Sequence, residues 1–212
     1  MTLKQILRAA GIGMIVSGLA LGYSYVSHPH HMTSEVIAST NWIIIHTLFA
    51  VSLAVGLLAT GVLYAPTAIR VGTPGLIGYL MLFFGMLLIF GLDYYEFLIA
   101  PFLAEHYPAV IRDHGAGDAM GPVAVAFPLA GALTVIGYAL LAWGWMRSQV
   151  LPTGIARVLI VTAIAFGFGL SPAGGIAIAQ ITAALFGFSL VAVGIVAFRQ
   201  PERFSVSVVE AT

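Results

Sequence analysis

The chain has no cysteine and very little charge. Of its 212 residues, 8% are charged, with eight basic and eight acidic side chains. Without cysteine there are no disulfides, no thiolate metal sites and no cysteine nucleophile. Balanced charge leaves no net field to attract a nucleic acid. The sequence also lacks a glycine-rich phosphate loop, a G-x-S-x-G elbow, H-E-x-x-H and H-x-x-x-H. Soluble domains carry about 25% charged residues. Here 60% of the residues are hydrophobic and the mean hydropathy is +1.05. A chain this apolar has too little polar surface to cover a core in water, so lipid is its expected solvent.

A membrane helix needs about 20 apolar residues. Uncharged stretches between polar segments predict helices over about 6–26, 42–64, 76–99, 122–146, 158–171 and 175–198. The first stretch, uncharged from Ala9 to Ser27, follows Lys4 and Arg8 as a signal peptide would. It is long enough to span, which predicts a retained first helix. Val158 to Phe198 contains 41 residues without a charge. One helix of that length would measure about 60 Å, twice the hydrocarbon core. The run must therefore fold back, and Ser171 to Gly175 (SPAGG) is the turn-forming segment within it. The reading is an all-α bundle of six transmembrane helices, a single domain over 1–212 with a tail at 199–212. Its turns are short on one side, and two larger loops lie on the other.

The basic residues orient this bundle. Lys4, Arg8, Arg70, Arg147, Arg157, Arg199 and Arg203 fall on one side, and only Arg112 on the other. Positive charge is retained in the cytoplasm, which predicts cytoplasmic termini and a cell-membrane location. Glycines are abundant, and Gly11, Gly13, Gly18 and Gly22 on the first helix suit close packing. Gly167 and Gly169, and Gly187 and Gly194, do the same on the last two. Packing within one bundle is the expectation, with homo-oligomerisation through these faces the alternative.

All six histidines fall on the outer side: His28, His30, His31, His46, His106 and His114. So do Glu35, Asp93, Glu96, Glu105, Asp113 and Asp118, leaving Glu202 and Glu210 in the tail. Asp93 and Glu96 share one helix face near the end of the third helix. A carboxylate at that depth pairs, lines a cavity or works. The plain alternative places both at the interface, beside Tyr94 and Tyr95 in the aromatic belt. His46 sits one turn below Trp42, at a depth similar to Asp93 and Glu96. It meets them if the second and third helices are neighbours. His28, His30 and His31 form a loop cluster whose imidazoles suit divalent metals. A solvated loop at the headgroups is the plain reading of the same residues. The candidate metal set is His46, Asp93, Glu96, His28, His30 and His31, with Glu35, and Glu105, His106, Asp113 and His114 from the other loop, as residues that could close the site. Haem ranks below a divalent metal, because only His46 has the depth of an axial ligand.

Trp42-x3-His46 opens the second helix, and Tyr95-Glu96-x4-Pro101 closes the third. In these motifs and in its basic start, the first half of the chain is similar to small multi-spanning bacterial membrane proteins. The resemblance implies no particular function. Three functions remain as expectations. The first is a non-catalytic accessory subunit of a larger membrane complex, or a small binding module, acting at the outer face. The second is a transporter or channel for a metal ion or proton. The third is a membrane enzyme with an outer-face metal centre.

Overall fold

The computed structural model describes residues 1–111, 123–171 and 174–205. Among them the secondary structure is helical, with no strand. The helices are α1 (Leu3–Val26), α2 (Ser34–Ile37), α3 (Thr40–Tyr64), α4 (Ala68–Tyr94), α5 (Ala100–His106), α6 (Pro108–Ile111), α7 (Val123–Arg147), α8 (Thr153–Gly169) and α9 (Gly175–Arg199). Local chemistry starts several of them. Thr2 and Gln5 form a reciprocal capping box on α1, and the Ser39 hydroxyl caps α3 by accepting from the Trp42 N–H.

The long helices close into a ring in the order α1, α3, α4, α7, α8, α9 and back to α1. Each neighbouring pair is antiparallel. Between α1 and α3, Ser17 meets Ser52 and Met14 meets Thr60. Between α3 and α4, His46 meets Asp93 and Tyr64 stacks on Tyr79. Gly78 packs on Gly137 and Leu141, and Gly85 on Ala130 and Thr134, which joins α4 to α7. Gly11 lies on Gly194 and Gly18 on Gly187, bringing the backbones of α1 and α9 into contact. Most of the expected small-residue faces are thus used inside the bundle.

Among the described residues, four helical stretches are long and apolar enough to cross a membrane: Leu3–Val26, Thr40–His106, Val125–Arg147 and Gly175–Arg199. The second, 67 residues long, folds back on itself. Its turn runs through Pro66 to Gly72, whose φ of +63° favours glycine over residues with a Cβ. Thr153–Gly169 is a shorter apolar helix of 17 residues. Large apolar side chains cover the outside, including Leu58, Val161, Ile181 and Phe188. Burying them in lipid rather than water is favourable by about 25 cal/mol for each Å² of apolar surface.

Helix α4 begins at Ala68 rather than about 76 and α8 at Thr153 rather than about 158, and two further features differ from the sequence expectation. The third helix was expected to end at Ile99, before Pro101. Instead the chain stays helical to His106 through a π turn at Tyr95–Ile99. A proline has no N–H and its ring crowds the carbonyl four residues back, and the wider turn relieves both. The other difference lies in the two outer segments, expected as loops. Where described, they carry the short helices α2, α5 and α6. Ile37, Ala100, Ala104 and Ile111 from these helices pack around Trp42 in a small second core. That cap fixes one end of the ring, where the site lies. Arg112, Asp113, His114, Asp118, Pro122, Pro172 and Glu210 lie outside the described residues.

Candidate functional site

The capped end of the ring contains a buried histidine–aspartate pair. His46 Nδ1 lies 2.6 Å from Asp93 Oδ1, with His46 9% exposed and Asp93 4% exposed. At that distance the ring nitrogen and the carboxyl oxygen are hydrogen-bonded. Four consequences of the fold hold the pair in place. The antiparallel contact of α3 and α4 sets the two at one depth. The Trp42 ring lies over His46 with centroids 4.5 Å apart. The His28 ring stands edge-on to both, 5.3 Å from Trp42 and 5.5 Å from His46. The π turn anchors Trp42 itself. In that turn the Ala100 N–H bonds to the Tyr95 carbonyl, and the next nitrogen along belongs to Pro101, which has no hydrogen to give the Glu96 carbonyl. The Trp42 indole N–H donates to that Glu96 carbonyl oxygen at 2.9 Å.

His28 is fixed from two sides. Its Nδ1 lies 3.0 Å from the Pro29 carbonyl oxygen, and its own carbonyl accepts from Gln180 Nε2 of α9 at 2.9 Å. Burial pushes the His28 ring below the ordinary histidine range. The Pro29 hydrogen bond and the Glu96 carboxylate oppose that shift, and His46 adds to it. The neutral ring is therefore the favoured form at the bundle mouth.

His46 Nε2 and Asp93 Oδ2 are buried with no hydrogen-bond partner among the described residues. Such atoms are rare in folded proteins, because leaving one unsatisfied costs about 1–3 kcal/mol. With Nδ1–H held by the carboxylate, Nε2 presents a lone pair, the arrangement common to histidines that bind a metal ion. The same lone pair accepts a hydrogen bond from an N–H or O–H ligand. Glu96 lies within electrostatic range of both His28 and Asp93.

Of the expected set, His28, His46, Asp93 and Glu96 gather at one place. His30 and His31 lie exposed on the loop, and Glu35 is exposed in the first turn of α2. His106 stacks on Phe102, and Glu105 is exposed beside it. Among the described residues no three His, Asp or Glu side chains converge as metal ligands. Sequence reasoning passed over Gln180 and Tyr25. Gln180 is a lone amide inside a 41-residue uncharged run, which was a readable signal. Tyr25 packs edge-on against Phe49 and Phe166 and lies within electrostatic range of Asp93.

One helical turn inward, all six long helices wall a cavity of about 30 Å³ on the ring axis. It has room for about one or two waters. Phe49, Ile89, Phe166 and Phe186 form much of its wall. The hydroxyls of Ser17 and Ser52 bond across to each other's helices, and Thr134 bonds within its own. Comparison of the chain with family models, curated proteins and solved structures found no match.

Proposed function

We propose that this chain crosses the cell membrane six times with both termini in the cytoplasm. It acts at the outer face as a non-catalytic binding module, free-standing or as an accessory subunit of a larger membrane complex. Its binding centre is the His46–Asp93 pair, with His28 and Glu96 beside it. The observation that carries this reading is the pair of buried atoms His46 Nε2 and Asp93 Oδ2, which have no hydrogen-bond partner among the described residues. The orientation rests on Lys4, Arg8, Arg70, Arg147, Arg157, Arg199 and Arg203, all at the end opposite the pair. The shortest of the six helices, α8, has 17 residues, at the lower limit of about 17–25 for a span.

The test is purification from native membranes in mild detergent, without chelator or polyhistidine tag. Bound metal and co-purifying proteins are then measured for the wild type and for His46→Asn. The asparagine amide keeps a donor for Asp93 but removes Nε2. The wild type is expected to carry a near-stoichiometric component, either a protein or a divalent metal ion, and the variant to lose at least about nine-tenths of it, as a 1.4 kcal/mol loss gives. A wild type that emerges with neither would sink the proposal.

A second reading is passage of a proton or metal ion. The axial cavity favours it, because it begins one turn inside the pair. A metal-dependent enzyme needs three or more converging protein ligands, and among the described residues no three His, Asp or Glu side chains converge in that way.

A further inference from the structure

The opposite end of the ring holds a second cavity, of about 330 Å³, between α4 and the end of α7. Arg70, Pro74, Trp143, Arg147 and Ser148 line it. The Arg70 guanidinium is clasped by backbone oxygens: Nη2 donates to Ser148 at 2.8 Å, and Nη1 to Arg203 at 2.9 Å and Ser205 at 3.3 Å. These carbonyls orient the group without neutralising it. The exposed Arg147 guanidinium lies over the Trp143 ring, 5.0 Å from its centroid. Neither arginine has a carboxylate partner among the described residues. Arg70 Nε and the guanidinium nitrogens of Arg147 are also without a hydrogen bond there. Two guanidinium groups thus face one cavity, and among the described residues no carboxylate neutralises them.

The cavity lies at a membrane boundary. Ile69, next to Arg70, is 93% exposed, as suits a side chain meeting acyl chains. Basic pockets between membrane helices at the cytoplasmic side suit anionic headgroups, and a tryptophan suits the same depth. We propose that this pocket binds the phosphate of an anionic membrane lipid. Arg147 and Arg70 Nε contact the phosphate oxygens, and Trp143 flanks the glycerol. The site is separate from the His46–Asp93 pair and stands or falls without it.

The experiment reconstitutes the full chain in nanodiscs of equal phosphatidylcholine and phosphatidylglycerol, extracts it gently and counts retained lipids by native mass spectrometry. The wild type is expected to retain phosphatidylglycerol in preference to phosphatidylcholine. Arg147→Gln should lower that preference about fivefold, the effect of one cation near an anionic surface. Arg157→Gln, another exposed arginine at this end but outside the pocket, should leave it unchanged. Inorganic phosphate in excess should not displace the lipid. Equal retention of both lipids would overturn the proposal. An equal fall with Arg157→Gln would do so too, by assigning the preference to general surface charge. Displacement by inorganic phosphate would make this a free-anion site and overturn the lipid assignment.

Discussion

Replacing His46 by leucine lowers the stability of the folded chain by about 3 kcal/mol, and replacing Asp93 by leucine does the same, because each change leaves the other group buried without its counterpart. The double leucine variant loses far less than the sum of the two. Removing both partners leaves an apolar pair inside an apolar bundle, and such replacements are often close to neutral. A double-mutant cycle by chemical denaturation in detergent measures the difference. Strict additivity would mean that the 2.6 Å contact carries no coupling. The cycle separates two properties of this pair. Its Nδ1–Oδ1 side is closed by the contact, and its Nε2 and Oδ2 side, buried and left open by the described residues, is the proposed ligand side. His46→Asn probes the open side while the leucine variants probe the closed one.

A side chain at Gly18 disrupts the ring as a whole. A Cβ there would run into the carbonyl oxygen of Gly187 and lie 3.1 Å from Leu190 and Val191. All three obstacles belong to α9, and the nearest is backbone, so no rotamer change relieves it. Overpacking of this kind costs about 1–3 kcal/mol when side chains can move aside, and more when they cannot. Gly18→Val is expected to cost about 3 kcal/mol or more and to abolish a monodisperse folded peak in gel filtration. Gly91→Ala is the control. No atom lies within 4 Å of its added Cβ, and alanine favours a helix over glycine by up to about 1 kcal/mol. A wild-type melting curve for Gly18→Val would contradict the backbone-to-backbone packing of α1 on α9.

Much of the architecture was readable because lipid solvent leaves a coarse signal. A run of about 20 uncharged residues followed by a basic or proline-containing turn has few interpretations. Each of the six predicted stretches holds a long helix, the fifth stopping at Gly169 rather than 171, and the helix ends at Tyr64, Arg147 and Arg199 fall within a residue or so of expectation. The meeting of His46 with a carboxylate on the next long helix was readable from depth alone. Which carboxylate it would be was not. Asp93 and Glu96 are three residues apart, and the choice depends on the rotation of α4, which tertiary packing fixes.

The π turn was hidden for a related reason. A proline after an apolar run usually marks a helix end, and only the space around Trp42 shows why this helix continues. The two short motifs that stood apart in the sequence, Trp42-x3-His46 and Tyr95-Glu96-x4-Pro101, are one device. Pro101 frees the Glu96 carbonyl, Trp42 takes it, and the indole ring then covers His46. The arginine clasp at the other end, joining Arg70 to residues 148, 203 and 205, has no local sequence signature.

Everything proposed for the outer site depends on which end of the ring faces outward. Because the chain has no cysteine, a single introduced one is a unique reporter. Met32→Cys lies in the exposed segment near the His46–Asp93 pair, and Gly154→Cys lies in open space at the opposite end. Each variant is treated in intact cells with a membrane-impermeant maleimide. The account predicts labelling at position 32 without permeabilisation and at position 154 only after it. Labelling at 154 in intact cells, with 32 protected, would put the histidine–aspartate pair on the cytoplasmic side and contradict the account.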